Sequence, residues 1–170
     1  MKTKIIAAAV MLAALAGVLL TGPGSEARAL AVDTPSFEVT LSVSAETLLD
    51  NMQLLDRDKH ELVPEDGLIF PAAAVTAFEG DSVFDVLWRE MRDAGIHLAF
   101  RNTPFYNSVY IEAINNLFEF DAGSLSGWMY RVNGDFPGFG ASRYFLQPGD
   151  VIEWVYTIDL GRDIGGAFIP

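Results

Sequence analysis

Glu79–Gly95 reads EGDSVFDVLWREMRDAG and carries the clearest helix signature of the chain. Ser82 is suited to cap the start, and Asp85 stands three residues on, at the capping-box position. Val83, Val86, Leu87 and Met91 recur at the spacing of one apolar helical face. Gly95 then takes the place where left-handed backbone ends a helix. The fold class turns on what surrounds this helix.

On both sides the apolar period changes to two. Ser36–Val43 places Phe37, Val39, Leu41 and Val43 on one face and Ser36, Glu38, Thr40 and Ser42 on the other, which predicts a half-buried strand. Ile96–Phe100, Val109–Ile114, Trp128–Val132 and Val151–Ile158 read as further strands. Leu68–Phe70 and Val75–Phe78 read as two short ones split by Pro71. Gln147-Pro148-Gly149-Asp150 has the residues of a tight turn ahead of the last strand. In Ala45–Leu55, Leu48, Met52 and Leu55 fall at helical spacing and predict a short second helix. Asp56–Gly67 (DRDKHELVPEDG) reads as a solvated, charged connector, since its acids lack the spacing of an EF-hand loop. There is no βαβ rhythm and no internal repeat. The expected class is α+β, a mixed or mainly antiparallel sheet packed on one main helix.

The N-terminus predicts export. Lys2 and Lys4 precede an apolar run over Ile5–Leu20, and A-x-A patterns at Ala27–Ala29 and Ala29–Ala31 supply cleavage sites, so residues 1–31 read as a signal peptide. The apolar run is short against the roughly 20 residues of a membrane span, so the membrane enters only through an uncleaved signal. Residues 32–170 then form a single domain that is secreted or held at the cell surface. Setting aside Lys2, Lys4, Arg28 and Glu26 leaves eight basic and 22 acidic residues, a net charge near −14. Such a charge excludes nucleic acid as a natural partner. The chain has no cysteine, which excludes disulfides, thiol nucleophiles and thiolate metal sites.

Catalytic chemistry finds no constellation. His60 sits in the charged connector and His97 at the start of a strand, with no convergent ligands for a metal site. Gly123-Ser124-Leu125-Ser126-Gly127 is not a nucleophile elbow, and no phosphate-binding glycine loop ends in lysine. Asp150 belongs to the turn, and Glu153 points outward from a strand. The expectation is a protein that is not an enzyme and requires no cofactor.

Aromatic residues stand out instead. Residues 127–144 read GWMYRVNGDFPGFGASRY. Trp128, Tyr130 and Val132 share one face of a strand, and Asn133-Gly134 makes a turn. Phe136 and Phe139 follow in a Gly/Pro loop, where two readings stay open: rings folded back on the sheet, or rings held outward as a contact surface. Trp128 and Trp154 read first as core. Tyrosine and tryptophan also favour binding surfaces, where a ring is buried and its polar tip is wet.

The segments EGDSVFDVL (79–87), NSVYIEAINNLFEFDAG (107–123), SGWMYRVNG (126–134) and YFLQPGDVIEWVY (144–156) together resemble the DUF4430 family, which is related to the C-terminal domain of transcobalamin and intrinsic factor. The resemblance covers roughly residues 36–165. It implies a β-grasp-like fold, with Gly80–Val83 entering the helix, Gly127–Tyr130 in a central strand, and Pro148–Asp150 starting the last strand. It also implies a domain that covers one side of a bound corrinoid, opposite a larger helical domain absent from this chain. Relatives that carry cysteines around positions 121–123 and 140–142 find Ala122 and Ala141 here. The expected function is therefore a secreted, non-catalytic binding domain for cobalamin, a corrinoid-like small molecule, or its uptake machinery, with a separate helical partner domain. Trp128, Tyr130, Asn133, Phe136, Phe139 and Tyr144 are the expected ligand-binding residues. The alternative is a structural or adhesion module of the cell surface that holds a surface protein or a polysaccharide through the same aromatic loop.

Overall fold

A computed structural model of the chain describes residues 34–166, so the expected signal peptide lies outside the described residues. The chain runs through β1 (Ser36–Ser44), β2 (Leu68–Phe78), α1 (Val83–Ala94), β3 (Leu98–Thr103), β4 (Ser108–Ile114), β5 (Leu117–Phe118), β6 (Gly127–Val132) and β7 (Val151–Thr157). These strands make a four-stranded sheet in the order β2-β1-β7-β6 and a three-stranded sheet in the order β3-β4-β5. Only β1 and β7 run parallel; the other pairs are antiparallel. The class is α+β with mixed sheets and one main helix, as the sequence predicts.

α1 forms as its signature requires. The Ser82 hydroxyl accepts from the Asp85 N–H, and the Asp85 carboxylate accepts from the Ser82 N–H at 2.9 Å and from its hydroxyl at 2.6 Å. Gly95 ends the helix at φ +69°, which a glycine adopts without side-chain strain. Val83, Val86, Leu87 and Met91 are fully buried. The helix start is also tied to the far end of the chain: Val83 N–H donates to Tyr144 C=O at 3.0 Å, and Leu146 N–H donates to Asp81 C=O at 3.0 Å.

The long sheet buries its alternating residues. Val39, Leu41 and Val43 of β1 meet Ile152, Trp154 and Tyr156 of β7 and Trp128, Tyr130 and Val132 of β6 in one core. Burying a large apolar side chain is worth about 1.5–3 kcal/mol, so this cluster supplies the cohesion that disulfides cannot.

Four local expectations need correction. Ala45–Leu55 is two short 3-10 segments, Glu46–Leu48 and Met52–Leu54, rather than a helix. Asn51 between them donates to Thr47 C=O at 2.8 Å, and Thr47 donates to Tyr156 C=O at 2.5 Å. These side-chain bonds compete with helical ones and pin the segment to β7. The connector contains a 3-10 segment, Arg57–Leu62, docked by the Lys59–Asp121 ion pair and by Asn115 donating to Leu62 C=O at 2.9 Å. β2 is one strand through Pro71, which is tolerated because β2 lies at a sheet edge and the register slips by one residue between Leu41/Ala73 and Val43/Phe70. Lastly, β6 is not central: it is the other edge of the four-stranded sheet, and β7 takes the centre.

Because Ser82 is 2% exposed and serves both halves of the capping box, Ser82→Ala is expected to cost about 1–2 kcal/mol. A lowered urea midpoint with an unchanged m value checks this, and an unaltered midpoint contradicts it.

Candidate functional site

The site begins at the turn after β6. Asn133 at φ +54° and Gly134 at φ +87° let Val132 and Asp135 exchange two main-chain hydrogen bonds, Val132 N–H to Asp135 C=O at 2.9 Å and the reverse at 3.0 Å. Two consecutive positive φ values are the hairpin type that Asn-Gly favours. Val132 therefore turns its main-chain groups away from β7, while Asn133 N–H donates to Val151 C=O. In a strand this direction alternates, so Trp128 and Tyr130 also point their N–H and C=O groups away from β7. No returning strand meets them. Pro137 has no N–H to give, and the hairpin stops after one rung. Among the described residues, the outer edge of β6 has no ladder partner at Trp128 and Tyr130.

Beside this edge lies a cleft of about 780 Å³, within the size range of small-molecule sites. Trp128, Met129, Tyr130 and Trp154 line it from β6 and β7. Val109, Tyr110 and Ile111 of β4 form a second wall, with Phe105 and Phe120 near them. The loop from Pro137 to Ala141, with Arg143, closes the third side.

The loop is held rather than loose. Tyr130 hydroxyl donates to Phe139 C=O at 2.8 Å, and Phe139 stacks on Tyr144 with ring centroids 6.1 Å apart. Ser142 Oγ accepts from Val109 N–H at 3.0 Å, and Ala141 is buried. Gly140 passes so close to Ser108 that a Cβ there would overlap its side chain.

Charge is placed unevenly around the cleft. Arg101 lies over the Tyr110 ring at 4.6 Å and pairs with Glu112 at 2.5 Å and Glu119 at 3.5 Å. Glu119 also accepts from the Tyr110 hydroxyl. Burial, reinforced by the bond to Glu119, pushes the Tyr110 phenol up to about 12. Burial likewise raises Tyr130 and Tyr144. Arg143 meets the Phe139 ring at 5.9 Å and has no carboxylate partner among the described residues. Trp154 is 3% exposed, and its indole N–H has no acceptor there.

Of the expected ligand-binding residues, Trp128, Tyr130 and Phe139 line the cleft. Tyr144 stands behind Phe139 and edge-on to Tyr130 at 6.5 Å. Asn133 and Phe136 lie elsewhere. Asn133 bonds the Asp150 carboxylate at 2.8 Å and Val151 N–H at 2.9 Å, because the turn needs its amide to join β6 to β7. Phe136 folds back: its ring lies against Gly166 and 5.9 Å from Arg131. The two loop phenylalanines thus take opposite readings, Phe136 inward and Phe139 outward at 45% exposure. Trp128 and Trp154 are buried, as their core reading expects, and both also stand in the lining of the cleft. Sequence reasoning missed the lining residues Arg101, Phe105, Tyr110, Phe120 and Arg143. The signal available was an aromatic density over residues 100–120 beyond what one strand can bury.

His60 Nε2 lies 3.1 Å from Leu55 C=O, and His97 lies beside Phe118 at 6.1 Å. Among the described residues no group of three or more His, Asp or Glu side chains could hold a metal ion, and no helix is long and apolar enough to cross a membrane. Ala122 and Ala141 are both buried, each filling core volume.

Residues 80–157 match a family model described as DUF4430, a domain of unknown function. This is the family that the four sequence segments resemble. No curated protein matches the chain. Among solved structures, haptocorrin in complex with Cbi is similar at a TM-score of 0.54 and 16% identity, over 75% of this chain and 26% of haptocorrin. The chain therefore spans about a quarter of that protein, and the likeness is one of fold. A candidate metal-binding protein from Ruminococcus gnavus is similar at a TM-score of 0.42 and 11% identity, over 71% of this chain and 96% of that one.

Two outcomes follow from this geometry. Phe136→Ala is expected to cost roughly 1–2 kcal/mol of stability and Phe139→Ala less than about 1 kcal/mol, in proportion to the apolar surface each buries. Denaturant unfolding of both variants checks the order, and a larger loss for Phe139→Ala contradicts it. The Tyr110 phenol, raised to about 12, contributes stability that is full below the unfolded value of about 10 and is lost as pH climbs through 12. Stability should fall over that alkaline window, and Tyr110→Phe should flatten part of the fall. A fall of equal depth in the variant contradicts the assignment.

Proposed function

We propose that the chain is a secreted, non-catalytic binding domain whose aromatic cleft takes a small organic ligand, with a cobalamin-like corrinoid as the first candidate. The observation that carries this reading is the cleft itself: a concave volume of about 780 Å³ lined by Trp128, Tyr130, Phe139 and Trp154 beside the unpaired edge of β6. Rings offer flat apolar faces, and the free N–H and C=O groups of Trp128 and Tyr130 offer a ladder of donors and acceptors. A macrocycle with an apolar rim and amide arms is complementary to that combination. The fold likeness to haptocorrin, a structure in complex with Cbi, supports the candidate.

In this reading residues 1–31 are a signal peptide, and the rest is one extracytoplasmic domain of β-grasp-like build. Trp128, Tyr130 and Phe139 touch the ligand and Tyr144 backs Phe139, while Asn133 and Phe136 hold the turn and loop that place them. No resident cofactor is required, since cobalamin is the ligand. The domain corresponds to about a quarter of haptocorrin, so a separate helical partner would complete the enclosure.

A second reading draws on the mouth of the cleft. Phe105 is 91% exposed and Phe120 59% exposed there, and clustered exposed rings also suit a surface protein or polysaccharide. That reading makes the chain a cell-surface adhesion module.

Calorimetric titration of the secreted chain with cobalamin separates the two. The corrinoid reading expects one site with a dissociation constant of roughly micromolar order and at least about tenfold weaker binding by Phe139→Ala. No heat and no change in the corrin spectrum at high micromolar protein contradicts it. Retention on cell-wall material that survives excess cobalamin favours adhesion.

A further inference from the structure

The charge pattern of the cleft goes one step further than its shape. The described residues contain eight lysines and arginines. Lys59, Arg89, Arg92, Arg101, Arg131 and Arg162 hold carboxylates. Arg57 and Arg143 do not, and of these only Arg143 lines the cleft. In a chain with 23 acids, a cation left without one at the rim of an aromatic cleft is a specific placement.

That placement is built. Arg143 ends the 3-10 segment Ala141–Arg143. Buried Ala141 anchors this segment, and Ser142 fixes it to β4 by accepting from Val109 N–H at 3.0 Å. The Arg143 guanidinium lies 5.9 Å from the Phe139 ring, and Arg143 lines the ring-faced opening. Arg101, the other cation of the cleft, is neutralised by Glu112 and Glu119. Trp154, 3% exposed, also lines the cleft, and its buried indole N–H has no acceptor among the described residues, where buried donors are ordinarily satisfied.

We propose that the cleft selects ligands in which an apolar ring body carries an anionic group, a carboxylate, phosphate or sulfonate, and that Arg143 is the receptor for that anion. The proposal rests on the reading of the cleft as a binding site and adds the chemical class of its ligand. Guanidinium is suited to this role because it offers a planar set of donors to two oxygens at once.

The test compares two fluorescent probes that share a ring body. Anilinonaphthalene sulfonate carries the anion, and N-phenylnaphthylamine is its uncharged counterpart. The secreted chain is expected to bind the sulfonate about ten- to a hundredfold more tightly than the neutral probe, the range of one hydrogen bond to a charged group. Arg143→Gln should erase that preference, bringing the sulfonate's affinity down to that of the neutral probe. Arg143→Lys should keep part of it, and Arg57→Gln, at the other unpaired arginine, should keep all of it. Equal affinity of the wild-type chain for both probes overturns the proposal. So does failure to bind the sulfonate, or a preference that persists in Arg143→Gln. A sulfonate preference lost in Arg143→Gln, in a chain that ignores cobalamin, would sustain the anion receptor and reject the corrinoid.

Discussion

The register of β6 against β7 depends on a small polar knot made by Asn133 and Asp150. Asp150 is 7% exposed, and its carboxylate accepts from the Asn133 amide and from Gln147 N–H, both at 2.8 Å. Its main-chain oxygen accepts from Thr40 N–H at 2.8 Å, while Asn133 Oδ1 accepts from Val151 N–H. One pair of residues, through the Asp150 main chain and both side chains, thus meets β1, the end of β6 and the start of β7. A slip of one residue in this pairing would turn Trp128 and Tyr130 to the opposite face. Both the core and the cleft would be lost together, because the same two rings belong to each.

What lies beyond the knot follows from a single absent donor. The Asn133-Gly134 turn starts a hairpin, and Pro137 stops it, so the returning chain leaves β6 as a loop. An exposed strand edge is ordinarily a liability. Here the Pro137–Arg143 loop and β4 flank the edge, which shields it from another sheet. The Tyr130 hydroxyl, by holding Phe139 C=O, keeps the loop at the distance that makes a cleft rather than a collapsed core.

The sequence made some of this legible and hid the rest for physical reasons. α1 was readable to its capping residues because a capping box, an apolar face and a terminal glycine are all local signals. The alternation of β1, β6 and β7 showed which residues face the core. Sheet order is not readable: nothing local says that β7 sits between β1 and β6, and the central place that the family resemblance implies for β6 is an edge. Leu48, Met52 and Leu55 suggested a helix because a three-residue period resembles a helical one over so short a span. At the cleft, the aromatic strand and loop make Trp128, Tyr130 and Phe139 legible as a group, and all three stand in its lining. Asn133 and Phe136 stand near them in sequence, but their partners, Asp150 and Gly166, are distant along the chain. Arg143 is not legible in the sequence, because an isolated arginine has no signal until its lack of a carboxylate is seen in three dimensions.

The account stands on β6 having an open edge inside a formed cleft, and amide hydrogen exchange of the free chain measures that edge residue by residue. The Met129 and Arg131 amides face β7 and should be strongly protected. The Trp128 and Tyr130 amides, on the same strand, should exchange at least about a hundredfold faster, as groups without a ladder partner do. Equal protection along all of β6 would mean that the edge is already paired, and would contradict both the cleft and the function built on it.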